Sequence, residues 1–162
     1  MRIIFFLIMA ASLLCSPSLA VDTSNWINVT SNAGFTFQMP SYWANDPMGQ
    51  TTEVIRTDKS DAVLLISYEP FNVTGTDIAE KDLKQHIENE MANVKVNKVD
   101  TIEIENHNIT ASGNTLTGTI ITAREEFLDD HVRRWICEFT DENAVTKYKN
   151  TLLTIINSTK FN

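Results

Sequence analysis

Residues 34–43 read Gly34-Phe35-Thr36-Phe37-Gln38-Met39-Pro40-Ser41-Tyr42-Trp43, and the reading of this stretch decides the fold. Phe35, Phe37 and Met39 recur at a period of two, with Thr36 and Gln38 between them, which is the pattern of a strand with one apolar face. Pro40 has no amide donor and stops the strand. Tyr42 and Trp43 follow at once and are expected to plug the corner where the chain turns. Just upstream, residues 26–30 (Trp26-Ile27-Asn28-Val29-Thr30) read as another short strand. Ser31-Asn32-Ala33-Gly34 is a turn signal between the two, so the pair is expected to form a hairpin.

Downstream, residues 44–52 carry Asn45-Asp46-Pro47 and Gly49 and read as loop. Residues 52–57 and 62–68 read as a second hairpin around the polar turn 58–61. Its second strand holds Val63-Leu64-Leu65-Ile66 without a break, the mark of a central strand covered on both faces. A loop over 72–76 leads to an amphipathic helix. Asp77 is its expected N-cap, with Glu80 placed to complete a capping box. Ala79, Leu83, Ile87, Met91 and Val94 form its apolar stripe, and His86 and Glu90 fall on the polar side as a surface pair.

Residues 95–105 read as an edge strand and 109–112 as a short one. Residues 116–127 read as a long β-branched strand in which Gly118 signals a bulge or a close approach, and 131–140 as the return strand. Thr140 or Asp141 caps a final helix striped by Ala144, Tyr148, Leu152, Ile155 and Ile156, and Phe161 is expected to tuck back onto the core. The short connections make the sheet antiparallel. Two single-striped helices and a strand apolar on both sides place helices on both faces, an α+β fold in the form of an α/β/α sandwich.

The first twenty residues have their own logic. Arg2, the apolar run Ile3 to Cys15, and Ser18-Leu19-Ala20 read as a cleavable signal peptide, cut after Ala20, with lipidation at Cys15 or a retained anchor as the alternatives. The apolar run is shorter than the roughly 20 residues a membrane span needs. The organisation expected is thus a signal peptide over 1–20 and one globular domain over 21–162, in the periplasm or secreted, with no stable membrane span after cleavage. The formal charge is −8 and becomes −9 once Arg2 is removed, which argues against nucleic acid and anionic membrane surface as main partners. Cleavage also removes Cys15 and leaves Cys137. That residue sits in the alternating run Arg133, Trp135, Cys137, Phe139 and reads as a buried, inert thiol.

Catalytic spacings are missing: there is no His-Glu-x-x-His, no Gly-x-Ser-x-Gly and no phosphate loop. His86 and His107 read as solvated, and nothing calls for a cofactor. Two candidate sites stand out. Glu125, Glu126, Asp129, Asp130 and His131 crowd the tip of the long hairpin, and such an oxygen-rich set could hold a divalent cation. Strand alternation scatters them over two faces, and Arg124, Arg133 and Arg134 flank them, so the plain alternative is a soluble, charge-balanced tip. Tyr42, Trp43, Met48 and Phe71 could line a small apolar groove for a ligand or partner; their plain role is to close the sheet edge.

The chain resembles the PsbP-like superfamily, a group that includes the photosystem II extrinsic protein PsbP, the Ran-binding Mog proteins and DcrB-like bacterial periplasmic proteins. The resemblance rests on Phe35-Thr36-Phe37-Gln38-Met39-Pro40-Ser41-Tyr42-Trp43, on the mid-chain helix from Asp77 to Val94, and on the closing strand and helix from Arg133 to Phe161. It implies an antiparallel sheet in an α/β/α sandwich and action by binding other proteins, with no shared catalytic set. The expected function is a non-enzymatic, exported protein-binding or accessory domain of the bacterial cell envelope, its partner another envelope or secreted protein. The alternative is a periplasmic protein that binds a small ligand or a divalent cation.

Overall fold

Alternation along the strands and single stripes on the helices sort the chain into two sheets and two helices. The computed structural model describes residues 21–70, 80–105, 107–128 and 130–161. The signal peptide expected over 1–20, the loop expected over 72–76 and the cap expected at Asp77 lie outside the described residues. Strands β1 (Trp26–Thr30), β2 (Phe35–Pro40) and β10 (Lys160–Phe161) form a small sheet in the order β1-β2-β10. Strands β3 (Ala44–Met48), β4 (Thr52–Arg56), β5 (Ala62–Pro70), β6 (Val96–Glu105), β7 (Asn108–Thr115), β8 (Ile120–Phe127) and β9 (His131–Phe139) form the main sheet in the order β3-β4-β5-β9-β8-β7-β6. Helix α1 spans Glu80–Asn93 and helix α2 spans Glu142–Ser158.

Every pairing is antiparallel. The main sheet is two meanders, β3-β4-β5 and β6-β7-β8-β9, joined along one seam where Ala62 through Pro70 pair with Phe139 through His131. The unbroken row Val63-Leu64-Leu65-Ile66 has its explanation here. Leu64 and Ile66 pack with Trp135, Cys137 and Phe139 against α2 and the small sheet, while Leu65 packs with Val132 and Ile136 on the side of α1. Leu83, Ile87 and Met91 of α1 complete that second core with Ile109, Ala111, Ile121, Ala123 and Phe127. Helices therefore cover both faces, as the stripes require.

Phe35, Phe37 and Met39 are at most 1% exposed, so the opening stretch is core. Trp43 is buried too, edge-on to Tyr148 of α2 at 5.8 Å. Phe161 does fold back, against Phe35, Tyr68 and Trp135, and it closes the small sheet by pairing with Phe35. Asp141 is the cap of α2: its Oδ1 accepts from the amide of Ala144 at 2.9 Å.

Several expectations are corrected. Residues 44–48 are strand β3 and not loop; Pro47 is tolerated because β3 is an edge strand, where a missing donor breaks no second ladder. The opening hairpin belongs to the separate small sheet. Tyr42 is 67% exposed and plugs nothing. The strand expected from 116 starts at Ile120, and Gly118 lies before it at φ +87°. The close approach belongs to Gly113, inside β7: a Cβ there would sit 2.6 Å from the Lys98 carbonyl, where β6 is bulged toward it.

Coverage is uneven. Helix α2 packs on β2, β5 and β9, while α1 packs on β6 and β7. On the α2 side, β6, β7 and β8 present Thr101, Thr110, Ser112, Thr122, Arg124 and Glu126, all half-buried and polar. Thr101 and Ser112 hydrogen-bond there at 2.8 Å. This part of the sheet face is hydrophilic and, among the described residues, carries no helix.

Candidate functional site

The β8–β9 hairpin ends in a run of charged residues that period-two geometry divides between two faces. Glu125 opposes Arg134 on the α1 side; Glu126 opposes Arg133, and Arg124 opposes Trp135, on the other.

On the α1 side the charges are sealed. Glu125 is fully buried. Its Oε2 lies 2.9 Å from His86 Nε2, and its Oε1 accepts from Arg134 Nε at 2.5 Å. Arg134 Nη1 reaches Glu69 at 3.5 Å and Glu90 at 3.9 Å. The His86 ring also meets Phe127 edge-on at 5.4 Å. Burial pushes the Glu125 carboxyl up, but His86 and Arg134 together outweigh it and hold it below the ordinary 4.5. The hydrogen bond to Glu125 raises the His86 pKa above 6.5 against the opposing effect of burial. Burial lowers the pKa of Arg134, and Glu125, Glu90 and Glu69 more than restore it. The expectation of a solvated His86 is overturned. The residue stands one position before Ile87 and three after Leu83, at the border of the stripe, so its ring turns under the helix and onto the sheet.

On the other side the charges are half-open. Arg124 Nη2 pairs with Glu126 Oε1 at 2.5 Å, while Arg133 Nη1 stands 3.8 Å from Glu126 Oε2, beyond hydrogen-bond reach. The Arg133 guanidinium lies over the Phe161 ring, 4.5 Å from its centre, and that of Arg124 lies 5.4 Å from the centre of Trp135. Tyr68 stacks on His131 at 4.4 Å and packs on Phe161 at 5.1 Å. His131 Nδ1 lies 2.9 Å from Asp130, a contact that holds the exposed Asp130 carboxyl below its ordinary range. Beside the His131–Asp130 contact, two further buried nitrogens, Arg133 Nε and Trp135 Nε1, have no hydrogen-bond partner among the described residues.

The residues singled out from sequence thus divide. Glu125 and Glu126 point to opposite faces, Asp130 and His131 pair with each other, and Asp129 lies outside the described residues. Among the described residues, no group of three or more His, Cys, Asp or Glu gathers as metal ligands. Tyr42 and Met48 face solvent, Trp43 faces the core, and Phe71 lies outside the described residues. The partners that sequence reasoning missed are His86, Tyr68 and Phe161, each brought in by long-range pairing. Cys137 is buried, and burial pushes its thiol up to about 12, so it holds no thiolate at neutral pH. A separate groove of about 400 Å³ runs between α1 and β6, lined by Lys84, Glu88, Val99, Asp100, Thr101, Ile102 and Ile104. Among the described residues, no helix is long and apolar enough to cross a membrane.

No protein-family model matches the sequence, and no curated protein matches it. Solved structures do match. The solution structure of cyanobacterial PsbP (CyanoP) from Synechocystis sp. PCC 6803 superposes with a TM-score of 0.58 at 13% identity, covering 91% of this chain and 98% of that one. A crystal structure from Bacteroides thetaiotaomicron is similar with a TM-score of 0.47 at 13% identity, over 87% of this chain and 49% of that one. An antiparallel sheet between helices, matched along nearly its whole length to the cyanobacterial structure, gives the chain the PsbP-like fold.

Proposed function

We propose that this chain is an exported, non-enzymatic accessory domain of the bacterial cell envelope that acts by binding another protein. The observation that carries the reading is the hydrophilic sheet face of β6, β7 and β8, which neither described helix packs on from the α2 side. A polar, half-exposed face on a rigid sheet suits the rim-rich contacts of a non-obligate interface. The burial of Cys137 and the division of the hairpin acids over two faces favour binding over catalysis. The leader-like segment before Val21 supports export.

The test places a photo-crosslinking side chain at Thr110, on the open face, or at Lys147, on the exposed side of α2, in the full chain expressed in a bacterial envelope. One partner trapped from position 110 and not from 147 is the expected result. Equal or absent trapping at both positions overturns the reading. N-terminal sequencing of the mature protein is expected to begin at Val21, and a retained Met1 would overturn cleavage. A second reading, a small-ligand binder, is favoured by the groove between α1 and β6 alone. A Lys84→Ala variant that loses a small ligand while still trapping the partner from position 110 would establish it.

A further inference from the structure

We infer that Arg133 and Arg124 form a docking point for a carboxylate on an acidic segment of a partner protein. The inference rests on the protein-binding reading and names the chemistry of the contact. Two guanidiniums here share one carboxylate, Glu126, which leaves one positive charge over in a chain whose net charge is −8. The sharing is unequal. Arg124 holds Glu126 tightly, whereas Arg133 makes no hydrogen bond to it and has its guanidinium carbon over the Phe161 ring. Stacking fixes the plane of a guanidinium and so orients its donor edge in advance.

Trp135 supplies an independent observation. It is 5% exposed, and its Nε1–H has no hydrogen-bond partner among the described residues, as is also true of Arg133 Nε. A buried donor without an acceptor is destabilising, and such groups in native folds call for an explanation. Trp135 and Arg133 are two apart on β9 and share one face, so the spare donors and the spare charge lie side by side.

The chemistry selects the occupant. The planar fork of an arginine matches a carboxylate, and one surplus charge balances one carboxylate. A phosphate dianion would be under-compensated, and a membrane or nucleic acid would need a basic surface, against a net charge of −8. Tyr68 and Phe161 supply aromatic walls, and Thr110 and Asn108 continue the polar floor along β7. Glu103 and Glu105 on β6 stand two strands from Arg124, roughly 10 Å, and three from Arg133, where screening weakens their repulsion.

The test is NMR titration of the full mature chain with acetylated tetraglutamate amide, with tetraglutamine amide and inorganic phosphate as parallel arms. The expected result is a saturable shift of the Trp135 indole and Arg133 Nε–H signals with tetraglutamate alone. Affinity should fall at least tenfold in Arg133→Gln, fall severalfold in Arg133→Lys, and rise in Glu126→Gln, where a competing carboxylate is gone. Lys147→Gln should bind as the parent does. Equal shifts with tetraglutamine, or unchanged affinity in a folded Arg133→Gln, overturn the inference. Tighter binding of phosphate at the same signals also overturns it, in favour of a phosphate site. If position 110 traps a partner but tetraglutamate does not bind, this inference fails and the protein-binding reading stands. Tetraglutamate binding with no trapped partner would show a carboxylate site but overturn its assignment to a partner protein.

Discussion

Glu125-Glu126 and Arg133-Arg134 are two pairs of like residues facing each other across one hairpin, and the two faces treat them in opposite ways. Glu125 and Arg134 lie under α1 and complete a network with His86, Glu69 and Glu90. Glu126 and Arg133 lie beyond the rim of α2, with part of the guanidinium exposed and two neighbouring nitrogens unpartnered. Side-chain chemistry is the same on both sides. The difference is the roof, so one face is fastened as structure and the other is left half-open.

Breaking the sealed side should give the largest effect. Arg134→Ala leaves Glu125 buried without its cation and should cost about 3–5 kcal/mol in urea unfolding. Arg133→Ala, next along the strand, should cost about 1 kcal/mol or less. Equal losses would end the distinction between the faces. The opening stretch offers a parallel contrast on the α2 side: Trp43→Ala should cost about 3–5 kcal/mol and Tyr42→Ala within about 0.5 kcal/mol, read from the same denaturation curves. Removing the cap that starts α2, in Asp141→Ala, should cost about 1 kcal/mol.

The smallest effect is a pH dependence confined to the sealed face. The raised pKa of His86 adds stability that is complete below its ordinary 6.5 and is lost as pH rises through the folded value. The lowered pKa of Glu125 adds stability that is present above 4.5 and is lost as pH falls through the folded value. The network is thus complete between about pH 4.5 and 6.5. As pH rises from about 6.5 through the raised folded value, the parent should lose stability relative to His86→Gln, which keeps a donor but does not titrate. Parallel curves for the two proteins would show that His86 does not control the helix contact.

Much of this fold is written in short-range pattern. Phe35, Phe37 and Met39 announce their strand, Leu83, Ile87 and Met91 their helix face, and Val63 to Ile66 their central place. The resemblance carried by residues 35–43 pointed to the same fold that the structural match shows. Strand β3 escaped because Ala44-Asn45-Asp46-Pro47-Met48 has the composition of a loop and becomes a strand only by pairing with β4. The site was less legible. Alternation separates Glu125 from Glu126, but nothing local says that His86, 39 positions earlier, will lie on Glu125. The placing of Phe161 over Arg133 likewise depends on the last strand joining the second one.

The seam between β5 and β9 has a kinetic meaning. Each meander is built from hairpins whose turns span a few residues, so its contacts close small loops and form early. The seam pairs Pro70 with His131 across roughly sixty positions of chain, and its closure entropy is correspondingly larger. It also carries Leu64, Ile66, Trp135 and Cys137 of one core and Leu65 and Ile136 of the other. Docking of the two meanders is therefore the slow event, and a weakened seam residue such as Leu64→Ala should slow folding where the same change within one hairpin would mainly speed unfolding.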